Sequence, residues 1–257
     1  MKAVFLGTGT SVGVPMIGCD CPVCRSPDPR DKRRRAGFHV QAGAVHLVVD
    51  TSPDFREQAL TFRIPRVDAV LFTHGHADHI FGFDDIRRFN TVQGEVIPAY
   101  GHPATLVSVR RIFDYIGSTA QPGLYRPLIE FREATGPFEM GPVRIVPFEV
   151  VHDESAPTLG YRFEENGRSL AYVPDCLEMG AETVASLAGV DVMILDALRH
   201  RPHRTHMTLE KSLETLARIR PRRAFLTHMC HDLGHAETEQ TLPPGVSLAY
   251  DGLEIEV

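Results

Sequence analysis

The stretch Thr73-His74-Gly75-His76-Ala77-Asp78-His79 decides how the rest of this chain is read. It follows Val67–Phe72, an apolar run that reads as a buried strand. Four ligand-type side chains within six positions, set at a strand end, gather nitrogen and oxygen donors about one point. Imidazole together with carboxylate suits zinc, manganese or iron rather than calcium or magnesium. Gly75 and Ala77 are small and leave room for metal ions beside the backbone. A lone histidine is most often structural; four donors at this spacing are not.

One segment cannot complete such a site, so further donors are expected where other apolar strands end. Three places qualify: Val150-Val151-His152-Asp153, Tyr172-Val173-Pro174-Asp175-Cys176 and Leu226-Thr227-His228. Each alone reads equally well as a cap or turn. Together, and in this order, they are far more specific.

With these residues the chain resembles the metallo-β-lactamase superfamily, whose motif is His-x-His-x-Asp-His followed by a His, an Asp and a His at later strand ends. All seven positions are filled. The resemblance implies that His74, His76 and His152 hold one metal, that Asp78, His79 and His228 hold a second, and that Asp175 bridges them. Asp78 is thereby also counted among the catalytic residues. It further implies an α/β fold, the four-layer αβ/βα sandwich of two mixed sheets flanked by helices. A single hydrolase domain is expected over residues 1–257, with the site at one sheet edge.

Two divalent ions bring four positive charges, and Asp78, Asp175 and a bridging hydroxide remove three. The remainder, about +1, suits a monoanionic phosphodiester, and coordination lowers the pKa of water from about 15.7 to about 7. Within the superfamily, His206-Met207-Thr208 resembles the phosphodiesterase branch, where a His two residues before Ser or Thr serves as general acid. A histidine titrating near the operating pH suits departure of a poor alkoxide leaving group. His200 and His203 are rivals for that role.

Cys19-Asp20-Cys21-Pro22-Val23-Cys24 crowds three of the five cysteines into six positions. Such spacing is typical of a structural zinc knuckle rather than of disulfides. Cys230 or His231 is the candidate fourth ligand. The phosphoribosyl cyclic phosphate phosphodiesterases are similar in this cysteine spacing, and in them a His three residues after the last active-site His completes the zinc; His231 fits that offset from His228. Leu6-Gly7-Thr8-Gly9-Thr10 and Phe83–Asn90 resemble the same subfamily. The glycine stretch is not read as a nucleotide loop, because no Gly-Lys-Ser/Thr follows and Cys and Pro interrupt any helix.

Composition fits this picture. The chain has 257 residues, 43% hydrophobic and 23% charged, which argues against disorder and against a membrane protein. The opening Met1–Gly7 is too short for a signal peptide core and reads as a first strand, so a cytoplasmic protein is expected. A net charge of −6 gives no support for nucleic acid as a partner. The exception is the basic run Arg30–Arg35, either a solvated loop face or a phosphate-attracting rim; Arg87 and Arg88 similarly stand between substrate contact and helix-surface ion pairs.

The expected enzyme is a phosphodiesterase acting on a small cyclic or nucleotide-like phosphodiester, with two active-site Zn or Mn ions (or Fe) and one structural zinc. The resemblance also suggests a homodimer. A tRNase Z-like nuclease is the alternative, but only 22 residues separate His152 from Asp175, too few for that family's tRNA-gripping arm, and the cysteine cluster is foreign to it. The cofactor-synthesis protein PqqB shares a similar cysteine cluster but departs from the ligand motif. A catalytically silent metal-binding protein would have no use for His206.

Ten strands are expected: 2–6, 45–50, 69–73, 96–100, 143–151, 160–163, 169–173, 192–195, 224–227 and 253–257. Helices are expected over Pro103–Ile116, Glu182–Leu187 and from an N-cap at Thr208 through Ile219.

Overall fold

A computed structural model describes residues 1–117, 119, 123–153 and 156–257. Two seven-stranded mixed sheets form its centre. The first runs in the order β14 (Glu254–Glu256), β1 (Lys2–Gly7), β2 (Gly37–Ala42), β3 (Val45–Val49), β4 (Ala69–Leu71), β5 (Ile97–Gly101) and β6 (Ile129–Glu133). The second runs β13 (Val246–Leu248), β12 (Arg223–Thr227), β11 (Val192–Asp196), β10 (Arg168–Val173), β9 (Ala156–Glu165), β8 (Val143–Asp153) and β7 (Phe138–Met140). In each sheet an antiparallel half passes into a parallel half: β3 to β6 are parallel in one, β10 to β13 in the other.

Alternation along the strands builds the layers. Ala3 and Phe5 of β1, Leu71 of β4 and Tyr172 of β10 face the shared core between the sheets, where the Phe38 and Tyr172 rings stack at 4.6 Å. On the outer face of the first sheet, Leu6, Val48 and Val70 meet Phe55 of α1 (Phe55–Thr61), Ile80 of α2 (Ala77–Ile80), Ile86 of α3 (Ile86–Gln93) and Leu106 of α4 (Pro103–Ile112). On the outer face of the second, Val173 and Leu195 meet Val184 of α5 (Ala181–Ser186) and Leu216 of α6 (Leu209–Ile219). α7 (His235–Glu239) lies beside β13. The expected four-layer αβ/βα sandwich is the fold.

Thr208 caps α6 as expected, its hydroxyl accepting from the Lys211 N–H at 3.1 Å. The helix expected to reach Ile116 stops at Ile112, because Phe113 leaves helical dihedrals; Ile112 is 46% exposed, so the apolar stripe fails there. Among the described residues no helix is long and apolar enough to cross a membrane. The glycine stretch has a packing cause. A Cβ at Gly7 would collide with the carbonyl of Arg35, and one at Gly9 would lie 2.8 Å from that of Arg33.

Candidate active site

Each expected metal ligand lies at or just beyond the carboxyl end of a strand, the edge at which open α/β sheets place their sites. β4 runs on into the histidine motif, and α2 begins inside it, with His76 at its N-cap. β8 carries His152 in a register shift between Val150 and Asp153, an irregularity of the kind that re-aims a side chain. Asp175 follows β10 and His228 follows β12. A Cβ added at Gly75 would meet the Ser108 Cβ of α4 at 3.6 Å, an ordinary contact.

The donor atoms converge. His74 Nε2 lies 2.8 Å from His76 Nδ1, which lies 3.3 Å from His152 Nε2. A second set is formed by Asp78 Oδ2, His79 Nε2 and His228 Nε2, with separations of 3.4 Å between Asp78 and His79 and 3.8 Å between Asp78 and His228. Asp175 stands between the sets. Its Oδ2 lies 3.9 Å from His74 Nε2 and 3.5 Å from His152 Nε2, while its Oδ1 lies 3.2 Å from His79 Nε2 and 3.4 Å from His228 Nε2. His79 Nε2, Asp175 Oδ1 and His228 Nε2 are buried polar atoms without a hydrogen-bond partner. Buried polar groups are normally satisfied, so three such atoms aimed at one spot fit divalent ions as their partners.

Four residues that the sequence did not single out hold this arrangement. Asp50, at the end of β3 and fully buried, accepts from His79 Nδ1 at 2.7 Å and from the Thr73 N–H and hydroxyl at 2.8 and 2.7 Å. With its proton given to Asp50, the Thr73 hydroxyl accepts from His74 Nδ1 at 3.0 Å. His152 Nδ1 donates to the Thr205 carbonyl at 2.8 Å. His206 Nδ1 donates to Asp196 at 2.7 Å, at the end of β11. Each bond fixes a tautomer that leaves Nε2 for the centre, the carboxylate–histidine pattern of metal sites. Asp50 was legible only as the last residue of the expected strand 45–50, and Asp196 as the residue just after the expected strand 192–195. Among the described residues His228 has no such partner, its Nδ1 being buried and unbonded, and it holds a positive φ of 58°. Backbone strain of this kind concentrates at functional sites.

Burial sets the protonation states first. It pushes His74 well below its usual range and takes His152 down to about 4, so both are neutral at pH 7. Burial opposes ionisation of Asp78 and Asp175, but the neighbouring imidazoles, His79 and His228 foremost, pull both carboxyls well below their usual range. Burial also lowers His206, with Asp175 opposing.

Of the three rival histidines, only His206 reaches the centre, its Nε2 3.9 Å from Asp175 Oδ2. His203 turns its Nδ1 to Thr205, and His200 is exposed.

A second cluster lies on the far side of His228. Cys19, Cys21 and Cys24 place their Sγ atoms 3.2, 3.5 and 3.5 Å from His231 Nδ1, and the four ligand atoms lie within 4.8 Å of one another. Between the two candidate fourth ligands it is His231 that joins the thiols; Cys230 Sγ accepts instead from the Asp232 N–H. The basic run also finds its place. Arg33, 2% exposed, donates to the carbonyls of Cys230 and Leu233 and to Asp31, while Arg30, Arg34 and Arg35 pair with Asp28, Asp251 and Asp54. Arg33 braces the N-terminal loop against the segment after His228, while Lys32 is exposed and the other three arginines are partly exposed and paired with carboxylates. Arg87 likewise pairs with Asp84 at 3.0 Å and lies over the Tyr125 ring.

Comparison with known proteins agrees with this geometry. The beta-lactamase superfamily domain matches residues 46–229, which span the whole donor set. The chain belongs to the metallo-β-lactamase superfamily. The crystal structure of a diphosphatase from the PhnP family shares 39% of its sequence at a TM-score of 0.91, with 100% of this chain and 97% of that one covered. Coenzyme PQQ synthesis protein B of Methylorubrum populi is 30% identical over 224 residues, 76% of this chain and 72% of that protein. A Porphyromonas gingivalis protein named octanoyltransferase is 35% identical over 260 residues, 99% of this chain but 51% of the relative, so the chain spans about half of that relative's length. As a superfamily member with a PhnP-family neighbour, the chain is a metal-dependent hydrolase.

Proposed function

We propose that this hydrolase cleaves a P–O bond in a small phosphodiester, cyclic or nucleotide-like, with two divalent ions of Zn, Mn or Fe at the centre. The observation that carries this is Asp175, one oxygen facing each donor set, with His206 at the rim. His74, His76 and His152 would hold one ion, Asp78, His79 and His228 the other, and Asp175 both. Such ions supply Lewis acidity, ionising water near neutrality and neutralising charge on phosphoryl oxygens. The chain's own residues do the rest. Asp50, Thr73 and Thr205 keep the ligand tautomers fixed. Asp196 holds His206 by Nδ1, so that the protonated ring presents its Nε2–H to the leaving oxygen and returns to neutral imidazole as that oxygen departs. Cys19, Cys21, Cys24 and His231 would hold a structural zinc.

Turnover of bis-p-nitrophenyl phosphate by protein loaded with Zn or Mn tests the proposal. Inertness toward every phosphodiester, with cleavage of a thioester instead, overturns it. A second reading, hydrolysis of a phosphoric anhydride, is favoured by the 39% identical structure described as a diphosphatase. A nuclease fits less well, because the arginines of the 30–35 run are paired within the fold. The expected cytoplasmic location and homodimer complete the proposal.

A further inference from the structure

Of the seven donors at the centre, only His228 holds a positive φ. An L side chain in the left-handed region is strained, and it stays there only where the surrounding structure holds it. Its imidazole has no buried acceptor among the described residues, so the hold comes through the chain on either side, β12 before it and Met229 after it.

Met229 is caught by the segment that follows β1. Its N–H donates to the Thr8 carbonyl at 2.9 Å, and its carbonyl accepts from the Thr10 N–H at 3.3 Å. On the other side of the same segment the Gly9 N–H donates to the Arg34 carbonyl at 2.8 Å. Thr8–Thr10 is therefore a rung between the chain entering β2 in the first sheet and the chain leaving β12 in the second. Asp251, on the turn before β14, anchors that rung, with its side chain 7% exposed. Its Oδ1 accepts from both the N–H and the hydroxyl of Thr8 at 2.9 Å, and its Oδ2 accepts from the Arg34 N–H at 2.8 Å. Burial lifts this carboxyl to about 6 against those hydrogen bonds, so at pH 7 it is ionised and accepts at both oxygens. The turn is itself tied to β1, the Gly252 N–H donating to the Phe5 carbonyl at 2.8 Å.

We infer that Asp251 is a positioning residue for the second donor set: it holds Thr8, Thr8 holds Met229, and Met229 holds the strained turn that aims His228. This rests on the proposed two-ion centre. Asp251 is not itself a donor there, and its effect is read as affinity for the ion proposed at Asp78, His79 and His228.

The test is Asp251→Asn at pH 7. Asparagine keeps the volume but turns one accepting oxygen into an N–H donor, which then faces the N–H of Thr8 or of Arg34. Zinc is withdrawn stepwise with a chelator while native mass spectrometry counts the ions retained. One ion is expected to be held about tenfold more weakly, the low end for an outer partner of a ligand, and the others as before. In cobalt-loaded protein the ion lost first should leave the thiolate-to-cobalt absorption of the cysteine cluster intact. Turnover lost at limiting zinc should return as zinc is raised. Asp191→Asn is the control. Asp191 accepts from the Ser169 N–H at 3.0 Å and from Arg168 at 2.9 Å at the opposite end of β11, so its loss is expected to lower the thermal midpoint and leave every ion affinity unchanged.

An Asp251→Asn protein that melts early yet keeps every ion as tightly as the unaltered protein overturns the assignment. So does an equal loss of ion affinity in Asp191→Asn, loss of the thiolate absorption first, or turnover that stays lost at saturating zinc. If Asp251→Asn does not fold, Thr8→Val removes the hydroxyl bond alone. Weaker retention of one ion in Thr8→Val but not in Thr8→Ser supports the assignment, and no difference between the two overturns it. If the loaded protein cleaves no phosphodiester, the proposed function fails, while the zinc titration still decides the role of Asp251.

Discussion

Two donor clusters flank His228, and they are built on different principles. The His/Asp centre takes its members from the ends of β4, β8, β10 and β12, elements fixed by the core, and most of its imidazoles are oriented by a buried acceptor such as Asp50 or Thr205. The Cys19–Cys24 cluster has three of its donors on one loop outside any helix or strand, and its thiols are oriented by backbone, as where the Cys24 N–H donates to Cys21 Sγ at 3.4 Å. We therefore expect the centre to keep its shape without ions, and the loop to lose its shape when its thiols hold none. The consequence is that damage at the centre should remove turnover and spare the fold, whereas damage at the loop should do the reverse.

The sharpest break of that contrast is Asp175→Asn, which removes the one group facing both halves. Turnover is expected to fall to background, with metal analysis finding the centre depleted and the thermal midpoint nearly unchanged. A protein that stays active would show that the two donor sets work independently. Next comes His206→Ala. Loss of a general acid costs roughly 10²–10⁴-fold, and the loss is expected on alkyl diesters with much less on p-nitrophenyl leaving groups, which depart without a proton. An equal loss on both, accompanied by loss of metal, would make His206 a ligand rather than an acid. Asp50→Ala is milder: removing an outer partner of a ligating histidine costs roughly 10–100-fold in activity or metal affinity. If turnover were untouched, the His79 tautomer would not matter.

The same contrast governs what was legible in the sequence. Donors on strand ends announce themselves, because an apolar run stopping at a His or Asp is a local pattern; His152, Asp175 and His228 were found that way. Fully buried parallel strands such as β11, Val192–Asp196, read easily for the same reason. β2 did not, since His39 and Gln41 interrupt its apolar residues, and edge strands β6 and β7 carry charges along their length. α1 hides because a buried Gln58 occupies the place of an apolar residue. The roles of Asp50 and of the brace made by Arg33 were not legible because their partners lie far away in the chain, and that of Asp196 because nothing local marks His206, ten positions on, as its partner. A charge run looks solvated until the carbonyls of Cys230 and Leu233 are seen to enclose one of its members.

Cys21→Ser is the smallest expected effect on chemistry and the most informative about coupling between the clusters. It removes one thiol but leaves Cys19, Cys24 and His231 in place, and every donor of the centre intact. If the loop serves only to brace the chain, bound metal falls by one ion and the thermal midpoint drops by roughly 5–10 °C, the equivalent of a few kcal/mol in a chain of this size. Turnover at 25 °C should then change by less than about tenfold, below the range for a direct partner of a ligand. His228 makes the comparison sensitive. It holds a positive φ and lacks a buried acceptor, and its onward chain is gripped by Met229 N–H on the Thr8 carbonyl and by Arg33 on the Cys230 carbonyl. Loosening the loop should therefore be felt first at the second donor set, as a weakened affinity for the ion proposed there. A variant that melts early yet keeps both ions as tightly as the unaltered protein would show that the strain at His228 is held by β12 alone.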